Sequence, residues 1–305
     1  MLSTSDLAFI EKKGITAEMI DAQLKRFEVG FPFLKINAVA TIGNGIKTFS
    51  PEETAACVKA WSDFQQTGKA IEKFVPASGA ASRMFKNMFA FASSGKNAPT
   101  TDFEKEYFEN ITKFAFYADL NNACRKLYRS NVQELMSAGR YVDVVKAMLE
   151  PEGLNYGFLP KALLKFHKTT GGNAHTPLEE HLEEGAQYAA DKNRKVNLHF
   201  TVSSEHKAEF EKLLTAKLPI YEQVWGVKYN VTMSEQKSST DTIAVNMDNT
   251  PYREPNGELL FRPAGHGALI EKLNERDAAV VFIKNIDNVV PDRLKASTVE
   301  WKQIL

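Results

Sequence analysis

The sequence predicts an α/β fold: a mostly parallel sheet flanked by helices, with one inserted helical lobe. Three observations predict it. Residues 73–86 read as a strand, a small-residue turn and a helix. From residue 196 onward, strand-like and helical runs alternate, the pattern of a parallel sheet with helices on its faces. Between these regions, residues 97–154 carry helical spacing and no strand signal.

The stretch 73–86 organises the rest. Phe74 and Val75 are apolar and strand-prone, and Pro76 follows. Ala77, Ser78, Gly79, Ala80 and Ala81 form a run of small residues. Met84, Phe85, Met88 and Phe89 then sit at helical spacing, which predicts a helix over 82–90. Such a turn presents bare backbone N–H groups, and the positive end of a helix, to an anion. Phosphate suits that place, and Arg83 offers a bidentate contact to its oxygens. The same residues also fit an ordinary tight turn.

Around this stretch the elements follow in order. Two short helices are expected within 4–30, capped by Ser5 with Asp6 and by Thr16. Ser50, Pro51 and Glu53 open a helix to about residue 66: a cap, a first-turn proline and a capping-box glutamate. In the lobe, Phe103, Tyr107, Ile111 and Phe114 share one helical face, read as core. His175, Glu179, Glu180 and His181 invite a zinc reading, but the spacing is not that of a His-Glu-x-x-His helix. Thr176 as cap, Pro177 as first residue and Glu179 three past the cap explain them as a helix start. Strands are expected over 196–202 and 227–233, a helix over 205–218, and a hairpin from 242–245 to 259–261. A helix over 266–275 and a buried apolar strand over 279–286 close the list. The resulting division is an N-terminal helical region, 1–70, and an α/β domain, 71–305, with the lobe at about 97–154.

Lysine plus arginine equals aspartate plus glutamate, 38 each, so no global charge argues for nucleic acid or an anionic membrane. Cys57 and Cys124 fit no metal or redox motif. With no signal peptide and no membrane-length apolar run, a cytoplasmic protein is expected. Walker A, nucleophile-elbow, kinase and paired-cysteine motifs are all missing.

Long stretches resemble a bacterial family catalogued as domain of unknown function 4301. They are VPASGAASRMFK, LPKALLKFH, HTPLEEHL, SEQKSSTDTIAVNMDNTPYRE, LLFRPAGHGALIEKLN and IKNIDNVVPD, which together cover most of 70–292. Shorter pieces resemble the sugar-nucleotide pyrophosphorylases, particularly the UDP-sugar type. These are the small-residue loop with its arginine, Pro160-Lys161, Gln236 after a strand, the Gly265-His266-Gly267 turn and Asp287-Asn288.

That second resemblance implies a Rossmann-like nucleotide-diphospho-sugar transferase fold. It also implies a Mg²⁺-dependent nucleotidyltransferase that joins a nucleoside triphosphate, with UTP a candidate, to a sugar 1-phosphate and releases pyrophosphate. Arg83, Lys161 and Asp287 would be catalytic, with Asp287 holding Mg²⁺. Ala77, Ser78, Gly79, Ala80 and Ala81 would cradle phosphates; Gln236, Gly265, His266 and Gly267 would contact base and ribose. Glu235 and Asp241 receive no role. The chain departs from the family's pattern in the long gap from Arg83 to Lys161, in its single loop glycine, and in stopping soon after Asp287. The last point leads to the expectation of a C-terminal truncation. Two other readings stay open: a nucleotide-binding module without catalysis, and a helical interaction protein.

Overall fold

The computed structural model describes residues 2–79, 81, 83–262 and 269–305. In chain order the helices are α1 (Thr4–Lys12), α2 (Ala17–Val29), α3 (Pro51–Gln65), α4 (Lys86–Ser93), α5 (Asp102–Glu109), α6 (Tyr117–Tyr128) and α7 (Val132–Ser137). They continue with α8 (Tyr141–Leu149), α9 (Pro177–Tyr188), α10 (Lys207–Trp225), α11 (Ile270–Asn274) and α12 (Asp292–Ile304). The strands are β1 (Thr41–Ile42), β2 (Gly45–Ile46), β3 (Ile71–Pro76), β4 (His167–Lys168) and β5 (Ala174–His175). After them come β6 (Lys195–Val202), β7 (Lys228–Glu235), β8 (Thr242–Ile243), β9 (Phe261–Arg262) and β10 (Val280–Ile283).

The chain divides into two compact units. One joins Met1–Ala56 to Glu235–Asp277; the other joins Cys57–Ser234 to Ala278–Leu305. This boundary differs from the division at residue 70 that the sequence suggested. The reason lies in the smaller unit's core. The β8–β9 hairpin is antiparallel, and its Ile243, Leu259 and Phe261 pack on Ile10, Ile15 and Ile20 of the N-terminal helices. Arg253 grips Asp6 through two hydrogen bonds of 2.8 and 2.7 Å. α1 is capped by Ser3 with Asp6 as the reciprocal partner, two residues earlier than expected; Thr16 caps α2 as expected.

The larger unit is built on a four-stranded parallel sheet, ordered β10-β3-β6-β7, with helices packed against it. β3 and β6 are central and nearly continuously buried, with Lys73, His199 and Thr201 among the buried residues beside the apolar ones. Leu198, Phe200 and Val202 are buried together with Leu178, Leu182, Phe210 and Leu214, each contributing on the order of 1.5–3 kcal/mol of burial. β10 is an edge strand of four residues with Ile283 half exposed, not the long buried strand expected over 279–286. α10 runs past residue 218 to Trp225 despite Pro219 inside it, and Gly226 ends it in the left-handed region. α5 to α8 bury Tyr107, Phe108, Leu120, Val144 and Met148 in a core shared with Met88 and Phe91 of α4 and with Tyr156 and Leu164.

α9 is the least ordinary element. It is enclosed by β6, α10 and α12, and its buried residues include four glutamates and a histidine. Gly185 lies so close to β6 that an added Cβ would meet Val196 at 2.9 Å. No helix among the described residues is long and apolar enough to cross a membrane.

Candidate functional site

The carboxyl ends of β3, β6 and β10 open at one rim of the sheet, where ligands of parallel α/β sheets collect. At β3 the chain leaves through Ala77, Ser78 and Gly79. The Ala77 N–H is already committed to Thr201 O at 2.9 Å, so it is withdrawn from any phosphate cradle. Ser78 and Gly79 keep N–H groups without a partner among the described residues. Gly79 is exposed, its φ lies outside the left-handed region, and a Cβ there would meet nothing within 4 Å. The space over the loop is therefore open.

The helix after this loop begins later than the sequence suggested. Met84 N–H turns back to Ala81 O at 2.8 Å, and α4 starts only at Lys86, with no side-chain cap. Its positive end is therefore displaced from the loop by a further turn. Arg83 falls in that turn, exposed, with no ion-pair partner among the described residues. Ala81 is fully buried in the lobe's core rather than presented to the rim. Ala80, Gly265, His266 and Gly267 lie outside the described residues, as does the start of the expected 266–275 helix.

Lys161 and Asp287 do come together. Lys161 opens a single 3₁₀ turn, Lys161–Leu163, and its backbone N–H bonds Gly79 O at 3.2 Å. Its Nζ meets Asp287 Oδ2 at 2.5 Å, with both side chains about a third exposed (27% and 32%). Asp287 Oδ1 has no protein partner among the described residues. The long insertion between Arg83 and Lys161 thus folds aside, so that loop, lysine and carboxylate share one rim. Gln236 and Glu235 belong to the smaller unit, as does Asp241, which is paired with Lys13 at 3.3 Å.

Beneath the rim lies a buried network. Lys73, on β3 and wholly buried, donates to Glu184 Oε2 at 2.9 Å and to His181 O at 3.3 Å. Lys284 donates to the other oxygen of Glu184 at 2.6 Å. Burial pulls the Lys73 ammonium down to about 8 against the opposing pull of Glu184. Burial alone would raise Glu184, but Lys73, His181 and Lys284 outweigh it and hold the carboxyl at about 2. Burial, and then the Lys73 charge, keep His181 neutral. Its Nε2 lies 3.2 Å from both Asn285 O and Ile286 O, so Nε2 carries the proton and donates. That ring holds the two peptide units preceding Asp287.

The sequence reading weighed Glu180 and His181 only as zinc ligands or as part of a helix start, and it did not single out Glu183 and Glu184. The capping box accounts for Glu179 alone, whose carboxylate also bonds Lys217 at 2.7 Å. The available signal was the density of charge: Glu180, His181, Glu183 and Glu184 surround an otherwise apolar helix one turn apart. Their lysine partners come from 73, 284 and 295, far off in sequence.

A single carboxylate with one oxygen uncommitted among the described residues, beside unpartnered backbone N–H groups, is a set that Mg²⁺ accepts when phosphate oxygens and water fill its remaining positions. Among the described residues, no group of three or more His, Cys, Asp or Glu side chains gathers to hold a metal by itself.

A family model described as "Domain of unknown function (DUF4301)" matches residues 3–305. No curated protein and no solved structure matches the chain.

Proposed function

The chain belongs to that family, and we propose that it binds a nucleoside triphosphate at the strand-end rim and transfers the nucleotidyl group to a sugar 1-phosphate. One observation carries the reading: Lys161 and Asp287, distant in sequence, meet as a pair about a third exposed beside the N–H groups of Ser78 and Gly79, which are open among the described residues. The short motifs shared with UDP-sugar pyrophosphorylases favour the same chemistry.

In nucleotidyl transfer a sugar phosphate oxygen forms a bond to the α-phosphorus, and the bond to the departing pyrophosphate breaks. Two anions must approach each other, so the protein's work is positioning and charge neutralisation. The Ser78 and Gly79 N–H groups would receive the phosphates. Lys161, released from Asp287, would donate to oxygens of the reacting phosphates. Asp287 would hold Mg²⁺, which when bound screens the triphosphate charge. His181 would keep the Asn285-Ile286-Asp287 turn in register. Arg83, exposed and without an ion-pair partner among the described residues, would be available to phosphate oxygens.

The test is pyrophosphate release from UTP, Mg²⁺ and a panel of sugar 1-phosphates, run beside a thermal shift with UTP and Mg²⁺. The expected result is turnover in the native chain, reduced at least a hundredfold in Asp287→Asn and in Lys161→Met. Full activity in both variants would refute the site. A thermal shift without turnover would leave a nucleotide-binding module.

A further inference from the structure

The lobe and the segments flanking it line an open pocket of about 540 Å³ that the strand-end site does not use. That volume is in the range of small-molecule pockets. Ring side chains dominate its wall, among them Phe103, Tyr107, Phe114 and Phe116, with Met84 and Met88 from the α4 side. Rings and thioethers of this kind favour a flat apolar body.

The polar part of the wall is sparse: the exposed Glu106 with Asn110 on the α5 side, and Lys165 and His167 on the other. Lys165 lines it, neutralised by Asp119 at 2.7 Å. His167 lines it too, with Nδ1 2.8 Å from Glu180 Oε1. Glu180 is buried inside α9, and its Oε2 has no hydrogen-bond partner among the described residues. A cavity wall thus ends on a histidine backed by a buried carboxyl, which leaves Nε2 as the ring nitrogen free of protein partners among the described residues.

We infer that this cavity binds a ring-bearing carboxylate, its flat body among the lobe aromatics and its carboxylate accepting a hydrogen bond from His167. The charge state supports a donor. Burial, reinforced by Glu183, pushes Glu180 up to about 8 despite Lys295. Burial and Lys295 push His167 down. The groups facing the pair are Glu183 and Glu184 on α9, His175 on β5, and Lys295 and Asp292 on α12. At neutral pH the pair therefore keeps its shared proton on the glutamyl side, and Nε2–H is the outward donor. Loss of that proton above about pH 8 turns the pair into an acceptor and weakens carboxylate binding.

The probe is 2-naphthoate, titrated into the full chain and followed by its fluorescence, with naphthalene-2-methanol as the neutral comparator. Saturable binding at one site per chain is expected, at least tenfold tighter for the carboxylate at pH 7 and weaker at pH 9. Phe103→Asp and Met84→Glu, both at half-exposed wall positions, should each weaken it tenfold or more while leaving the UTP shift unchanged. His167→Gln should abolish the pH dependence. No saturation up to about 5 mM, or binding indifferent to both wall variants, would overturn the site. Equal affinity for the alcohol would overturn the carboxylate. These outcomes are read separately from the UTP experiment, so the failure of one reading leaves the other standing.

Discussion

Two lysine–carboxylate pairs of the larger unit make a useful contrast. Lys73 and Glu184 are wholly buried, and Lys284 shares the same carboxylate. Lys161 and Asp287 stand at the rim, each about a third exposed (27% and 32%). The chemistry of the pairs is identical; the solvent is not. A pair without water has no alternative partner, and removing one half strands a charge in the interior. A pair at the rim can exchange its partner for a phosphate or a cation at small cost, because water screens it. The same residue types thus serve as framework in one place and as exchangeable contacts in the other.

The largest expected effect comes from breaking the buried pair. Lys73→Met or Glu184→Gln should lower unfolding free energy by about 3–5 kcal/mol in a urea titration. Acid should act on the same carboxyl. Its folded pKa lies below the unfolded value, so its contribution is complete above about pH 4.5 and fades as pH falls toward about 2.

Glu180 should behave in the opposite sense, which sharpens the contrast. Its folded pKa is raised to about 8, so the unfolded chain binds fewer protons than the folded one between about 4.5 and 8. Stability should therefore fall as pH rises through that window, by on the order of a few kcal/mol. Glu180→Gln, which keeps the neutral shape, should flatten this part of the curve; an unchanged slope would remove Glu180 as its source.

At the rim, Lys161→Met should change stability by less than about 1 kcal/mol while abolishing the UTP-dependent thermal shift. A loss of stability comparable to that of Lys73→Met would erase the distinction between the pairs. The smallest effect is expected at Gly79→Ala. With no atom near the new Cβ and no left-handed φ, the apo chain should gain about 0.4–1 kcal/mol. If phosphates seat on this loop, the same methyl should weaken UTP binding severalfold.

Much of this architecture was legible in residue order. Capping chemistry placed the starts of α3 and α9, because a cap is local and its partner is three residues away. Alternating apolar runs located β3, β6 and β7 for the same reason. The sheet rim followed, since strand ends collect ligands whatever the side chains. What could not be read were contacts set by tertiary packing. β10 read as buried because Val280, Val281, Phe282 and Ile283 are apolar, yet strand order puts it at an edge. The Ala77 N–H was unavailable to a ligand only because β6 lies beside it. Glu180 read as part of a helix start, and Glu183 and Glu184 drew no reading, because nothing local reveals that three lysines and two histidines surround them.

The smaller unit is assembled from two stretches that lie far apart along the chain. Asp6 and its guanidinium partner Arg253 are separated by 247 positions. On a ribosome adding about 5–20 residues per second, the first helices wait roughly 10–50 s for the hairpin that covers Ile10, Ile15 and Ile20. During that interval their apolar sides lack the hairpin that buries them. The larger unit is still completed last, because β10 and α12 follow the hairpin along the chain.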